Sequence, residues 1–91
     1  MRFKCKETAK VSQGLHSRKF PAEMLRRIEM RLNRIDAAVL LEDLRCPPSH
    51  HLEALSGDRA GQHSIRVNKQ WRVCFVWSGG GAFDVEVVDY H

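Results

Sequence analysis

The sequence predicts an α+β fold, with N-terminal helices packed on a small, mainly antiparallel twisted sheet. Leu25, Ile28, Leu32 and Ile35 recur at three- and four-residue spacing, which makes one apolar helical stripe. From residue 52 the apolar period shortens to two, as half-buried strands require. Ser56-Gly57-Asp58, Asn68-Lys69-Gln70 and Ser78-Gly79-Gly80-Gly81 then punctuate the strand-like runs with turn residues. Helices followed by a meander give a two-layer arrangement in which the helical stripe covers one face of the sheet. A length of 91 residues suits a single domain spanning 1–91.

Each element has its own signal. Arg2-Phe3-Lys4-Cys5 alternates polar and apolar residues and reads as a short first strand. Residues 6–16 have the composition of a short helix that Gly14 interrupts. The next helix is expected over about 21–38, with Pro21 at its first position and Glu23 in the first turn, four residues before Arg27. Arg27, Arg31 and Arg34 share the helical spacing on a second face, so this helix buries leucine and isoleucine and exposes arginine. Residues 39–51 read as loop with one helical turn, because Pro47 and Pro48 can neither continue a helix nor pair in a central strand. Leu52 and Leu55 belong to a short strand. His63 to Asn68 places Ile65 and Val67 on one face. Trp71 to Trp77 places Trp71, Val73, Phe75 and Trp77 on one face, with Arg72, Cys74 and Val76 on the other. Phe83 to Tyr90 is the last strand, with Phe83, Val85 and Val87 alternating against Asp84 and Glu86.

The charge is unevenly distributed. Residues 1–35 hold ten Lys/Arg against Glu7, Glu23 and Glu29, a balance of +7, whereas residues 36–91 balance to −3. A basic half attracts polyanions whatever their sequence, and it also serves simply as a solvated helix face. Three cysteines without CxxC spacing argue against a secreted disulfide framework. No apolar run approaches the ~20 residues of a membrane span, and no signal-peptide pattern opens the chain, so a cytoplasmic protein is expected.

The second half resembles the HigB family of toxins, within the RelE superfamily. The stretches that carry the resemblance are Leu55-Ser56-Gly57-Asp58-Arg59 with Gly61 and Ser64-Ile65, then Gln70-Trp71-Arg72-Val73, and the ending Val88-Asp89-Tyr90-His91. Members of this family typically end in Asp-Tyr-His. The resemblance implies a toxin of a type II toxin–antitoxin module that cuts mRNA on the ribosome and so inhibits translation. It also implies a HigA-like antitoxin carrying a helix-turn-helix domain.

RNA supplies its own nucleophile, the 2′-OH, so such an enzyme needs no metal and no cofactor. It needs a base near the 2′-oxygen, a cation near the phosphate and an acid near the leaving 5′-oxygen. By the resemblance, His91, Tyr90, Asp89, Arg72 and Glu53 are the catalytic candidates. An imidazole exchanges protons at neutral pH, which suits His91 to acid–base work. Tyr90 can stack on a base or bond a phosphate, and Asp89 can orient His91 or an arginine. Arg72 can hold a phosphate by two parallel hydrogen bonds. Arg59, Ser56 and the helical Arg27, Arg31 and Arg34 are candidates for holding the RNA. Some family members carry a histidine and a lysine in the loop before Gly-Asp-Arg, where this chain has Glu53 and Ser56. Glu53 can act as a base but cannot neutralise phosphate, and Ser56 offers only a hydroxyl, so either neighbours such as His50, His51 or Arg59 compensate or activity is weaker. Two other readings stay open: a noncatalytic nucleic-acid-binding module, and a toxin homologue whose catalysis has decayed and which only binds its antitoxin. No HxxxH, HExxH or CxxC spacing marks a metal site.

Overall fold

The computed structural model describes residues 1–89. Two α-helices, α1 (Lys6–Ser12) and α2 (Leu25–Ala37), precede four strands: β1 (Glu53–Ala54), β2 (His63–Arg66), β3 (Trp71–Ser78) and β4 (Gly81–Asp89). The strands form one antiparallel sheet in sequence order. The α+β arrangement expected from the change of period is therefore the observed one. Ile28, Leu32 and Ile35 of α2 are buried against Ile65, Val73, Phe75, Val85 and Val87 of the sheet. Each such side chain contributes about 1.5–3 kcal/mol when fully buried. Trp71 and Trp77 pack at the margin of this core, and Phe20 meets Trp71 edge-on at 5.4 Å.

The N-terminal half departs from expectation in detail. Phe3 makes one bridge to Val85, and it is parallel: Val85 N–H donates to the Arg2 carbonyl at 3.0 Å and Lys4 N–H donates to that of Val85 at 3.0 Å. The first helix stops at Ser12, and Gly14 follows with φ 78, a conformation an L side chain resists. Pro21 stays extended at ψ 136 and leads a 3-10 turn, Ala22–Met24, before α2 begins. Glu23 therefore lies outside the α-helical spacing that a pair with Arg27 requires, and Arg26 instead pairs with Glu29 across one turn. Residues 39–51 hold two 3-10 turns, Leu41–Arg45 and Pro48–His50, where one turn was expected.

The helical layer also covers the sheet edges. Thr8 of α1 is buried and its hydroxyl accepts from the Val87 N–H at 3.1 Å, on the outer side of β4. Arg31 of α2 donates from Nε to the Arg66 carbonyl at 2.9 Å, on the outer side of β2. Both bonds satisfy strand groups that would otherwise invite another strand.

One expected pattern fails in β4. Cys74 pairs with Glu86, but Val76 pairs with Phe83, so β4 carries one residue more than β3 over this stretch. The bulge centres on Asp84, which takes φ 51. Phe83 consequently leaves the core face and lies with Val76 on the other side, 38% exposed, while Ala82 enters the core opposite Trp77. The hairpin before it is tight: Ser78 pairs with Gly81, and Gly79 and Gly80 take φ 59 and 80, as a two-residue turn between twisted strands demands.

Candidate active site

The face of the sheet turned away from the helices collects a polar group around Arg72. Strand alternation sends Arg72 and Cys74 to this face while Trp71, Val73 and Phe75 fill the core. The β2–β3 register places Ser64 opposite Cys74 and Arg66 opposite Arg72, on the same side. Arg72 Nε donates to Ser64 Oγ at 2.7 Å, and its Nη2 donates to the His51 carbonyl at 2.7 Å. The carbonyl is presented by a left-handed residue, since His51 has φ 46 and ends the 3-10 turn at Pro48–His50. Such a φ is uncommon outside glycine and is held here by its surroundings. The guanidinium is thus fixed in plane from two directions.

Glu53 stands beside it, with Oε1 3.7 Å from Arg72 Nη2. The Arg72 side chain is 11% exposed and that of Glu53 is 50% exposed, so the carboxylate is the solvent-facing member of the pair. A second ion pair lies one strand away: Arg59 Nη1 is 2.9 Å from Glu86 Oε1 and also donates to Gln62 Oε1 at 3.1 Å, and Lys4 approaches Glu86 at 3.9 Å. Cys74 sits fully buried between Ser64 and Glu86 in register. Burial pushes its thiol pKa up, which leaves it a packing residue and not a nucleophile.

The residues singled out in the sequence divide into groups. Arg72 and Glu53 meet, and Arg59 joins the same face through Glu86. Ser56 lies exposed at the start of the 3-10 turn Gly57–Arg59, where its carbonyl accepts from the Arg59 N–H at 3.2 Å. Asp89 is opposite Trp71 in register, which puts it on the helix-covered side, and it accepts from Gln70 Nε2 at 3.0 Å. Arg27, Arg31 and Arg34 lie on α2; Arg27 and Arg31 line a separate cleft, and Arg34 is exposed. Tyr90 and His91 fall outside the described residues. Ser64, Glu86 and the His51 carbonyl were not singled out. Ser64 and Glu86 carry a readable signal, since alternation and a three-residue turn at 68–70 put them on the face of Arg72. A backbone carbonyl leaves none.

A rigid cation beside a half-exposed carboxylate can neutralise a phosphate and take a proton from a hydroxyl held against it. Among the described residues no three His, Cys, Asp or Glu side chains converge as a metal cluster would.

Comparison with known proteins bears on this geometry. Residues 2–91 match a family described as RelE-like toxin of type II toxin–antitoxin system HigB. Toxin HigB-1 of Vibrio cholerae serotype O1 is 40% identical over 67 residues, which are 74% of this chain and 70% of that protein. Endoribonuclease HigB of Proteus vulgaris is 38% identical over 71 residues, 78% of this chain and 76% of that protein.

Proposed function

The chain belongs to the HigB-like family of RelE-like toxins of type II toxin–antitoxin systems, and from that premise we propose an endoribonuclease that cuts mRNA on the ribosome without a metal ion. Its partners are then a HigA-like antitoxin with a helix-turn-helix domain and a ribosome holding mRNA in the decoding site. Its place of action is the cytoplasm. Among the described residues no helix is long and apolar enough to cross a membrane.

The observation that supports this reading is the placement of Arg72, fixed by Ser64 and His51 with Glu53 at 3.7 Å. The RNA 2′-oxygen attacks phosphorus and the bond to the 5′-oxygen breaks. Glu53 takes the 2′-proton, and His91 gives one to the departing 5′-oxygen. The products are a 2′,3′-cyclic phosphate and a 5′-hydroxyl. Arg72 meets the charge that builds on the non-bridging oxygens in the pentavalent transition state. Tyr90 contacts the nucleotide, whereas Asp89, turned to the helix-covered side with Gln70 as a donor, is left out of the site. Arg59 and Ser56 hold the neighbouring backbone.

The test is a translation reaction treated with a metal-binding chelator at a level that ribosomes tolerate, followed by end-mapping of the mRNA. Cuts ending in cyclic phosphate are expected in translated mRNA and not in the same RNA free of ribosomes. Glu53→Gln, Arg72→Ala and His91→Ala should each abolish them. Undiminished cutting by all three variants would overturn the assignment, and cutting of free RNA at the same rate would remove the ribosome from it.

A further inference from the structure

A second basic feature lies on the flank of the sheet, apart from Arg72 but joined to it. A cleft of about 490 Å³ is lined by Arg27 and Arg31 of α2, Arg66 of β2, and Lys69 in the β2–β3 turn, with His51 and Ser49 at its rim. No carboxylate lines it, and none of the four cations forms an ion pair among the described residues. Lys4, Lys10, Arg26, Arg45 and Arg59 pair with carboxylates, whereas here four cations line one cleft with no acid among them. Arg31 is only partly exposed, its Nε is engaged by the Arg66 carbonyl, and Arg27 and Arg34 repel it. Cations assembled at mutual cost without a neutralising partner suit an anion that arrives from outside.

Two connections tie the cleft to the proposed active site. His51 lines the cleft and holds Arg72 through its carbonyl, at 2.7 Å. Arg66 lines the cleft and is the register partner of Arg72. A polyanion with one phosphate at Arg72 can therefore run past His51 and Arg66 over the edge of β2 onto α2. The lining offers charge and hydrogen-bond donors, with Val67 its lone apolar member, so it lacks the apolar pockets by which a peptide is held.

We infer that this cleft binds the phosphodiester backbone of the single-stranded messenger beside the cut, as a continuation of the Arg72 site. The inference rests on the nuclease reading above.

The experiment measures binding of a 2′-O-methyl RNA strand, which cannot be cut, by fluorescence anisotropy across a salt series. Each cation that neutralises a phosphate contributes about 0.7 to the slope of log affinity against log salt for a single strand. Arg27→Gln with Lys69→Gln, both exposed in the fold, should flatten the slope by about 1.4. Lys6→Gln with Arg26→Gln removes the same charge elsewhere and should leave the slope unchanged. Equal flattening by both pairs would mean that net charge acts and the cleft does not. An unchanged slope with lost affinity for the antitoxin would assign the cleft to an acidic protein segment. Flattening seen only with an A-form RNA duplex would assign it to structured RNA. Each of these overturns the inference while wild-type cutting of mRNA leaves the nuclease reading standing; failure of the wild type to cut would sink that reading instead. Equal melting temperatures of the two double variants guard against a folding artefact.

Discussion

Arg72 carries two consequences that one substitution exposes together. Its guanidinium binds the Ser64 hydroxyl and the His51 carbonyl, so Arg72→Ala leaves both without their donor and should cost about 1–3 kcal/mol of stability. The same change should cost about 2–4 kcal/mol of transition-state stabilisation, read as kcat/KM for RNA cleavage, beyond any loss of folded protein. Arg72→Lys separates charge from shape. A lysine keeps the charge but lacks the planar fork, so most of the rate should still be lost; full activity would show that a point charge suffices. His50 makes a different prediction. It is buried, with Nδ1 3.1 Å from the Leu44 carbonyl and Nε2 without a partner among the described residues. Burial pushes its pKa down, Arg31 and Arg34 push the same way, and the bond to Leu44 opposes them. A folded pKa below the unfolded value of about 6.5 means that the unfolded chain binds the proton first. His50 therefore contributes its stability fully above about pH 6.5, and that contribution is lost as pH falls from there through the folded value. Urea unfolding at about pH 7.5 and about pH 5.5 should show the loss, and His50→Leu should shrink it. An equal drop in that variant would place the titration elsewhere.

Among the elements, β4 shows how a single residue redirects a surface. With Asp84 at φ 51, the strand gains a residue and Phe83 changes sides. Asp tolerates the left-handed region through its short polar side chain, and a β-branched residue does not. Asp84→Val should thus cost about 1–2 kcal/mol, seen as a fall of several degrees in Tm, whereas Asp84→Gly should stay within about 0.5 kcal/mol. A harmless Asp84→Val would mean that the bulge relocates freely. This bulge is also where the sequence was least legible, because Phe83, Val85 and Val87 alternate without a break and nothing in them betrays the extra residue. The rest of the sheet could be read. Asn68-Lys69-Gln70 announces a three-residue connection, and Asn68 Oδ1 does accept from the Gln70 and Trp71 N–H groups at 2.9 and 2.8 Å. That length sets Arg66 against Arg72 and Ser64 against Cys74, so the face of Arg72 follows from local patterns alone. The α2 stripe was equally plain, since Ile28, Leu32 and Ile35 are buried as their spacing requires. The left-handed turn at His51 was hidden, because tertiary packing and not the residue itself imposes it. The gathering of Arg27 and Arg31 with Arg66 and Lys69 was hidden as well, for it needs two elements distant in sequence to meet.

At the scale of the whole molecule, turnover and recognition by the antitoxin make separate demands. Cutting needs a few groups near one phosphodiester, and the proposed pair, Arg72 and Glu53, stands on the sheet face turned away from the helices. An antitoxin has to seat on a protein surface, where most contacts exclude water and a few anchors supply the affinity. Removing one imidazole should therefore abolish the first without abolishing the second. Expression of the wild-type chain in bacteria should arrest growth, and co-expression of the antitoxin should restore it. His91→Ala should relieve the arrest on its own while the purified variant still binds the antitoxin with unchanged affinity. That pairing separates the open readings. A wild type that never slows growth, yet binds the antitoxin, would be a homologue whose catalysis has decayed. A His91→Ala variant as toxic as the wild type would point to a binder that harms by occupancy, or to an acid supplied by another residue, and end-mapping of the mRNA tells these two apart. Arrest by the wild type, relief by His91→Ala, intact binding of both antitoxin and RNA, and loss of the mapped cuts together require chemistry at His91, because no loss of folding or of recognition could produce all four.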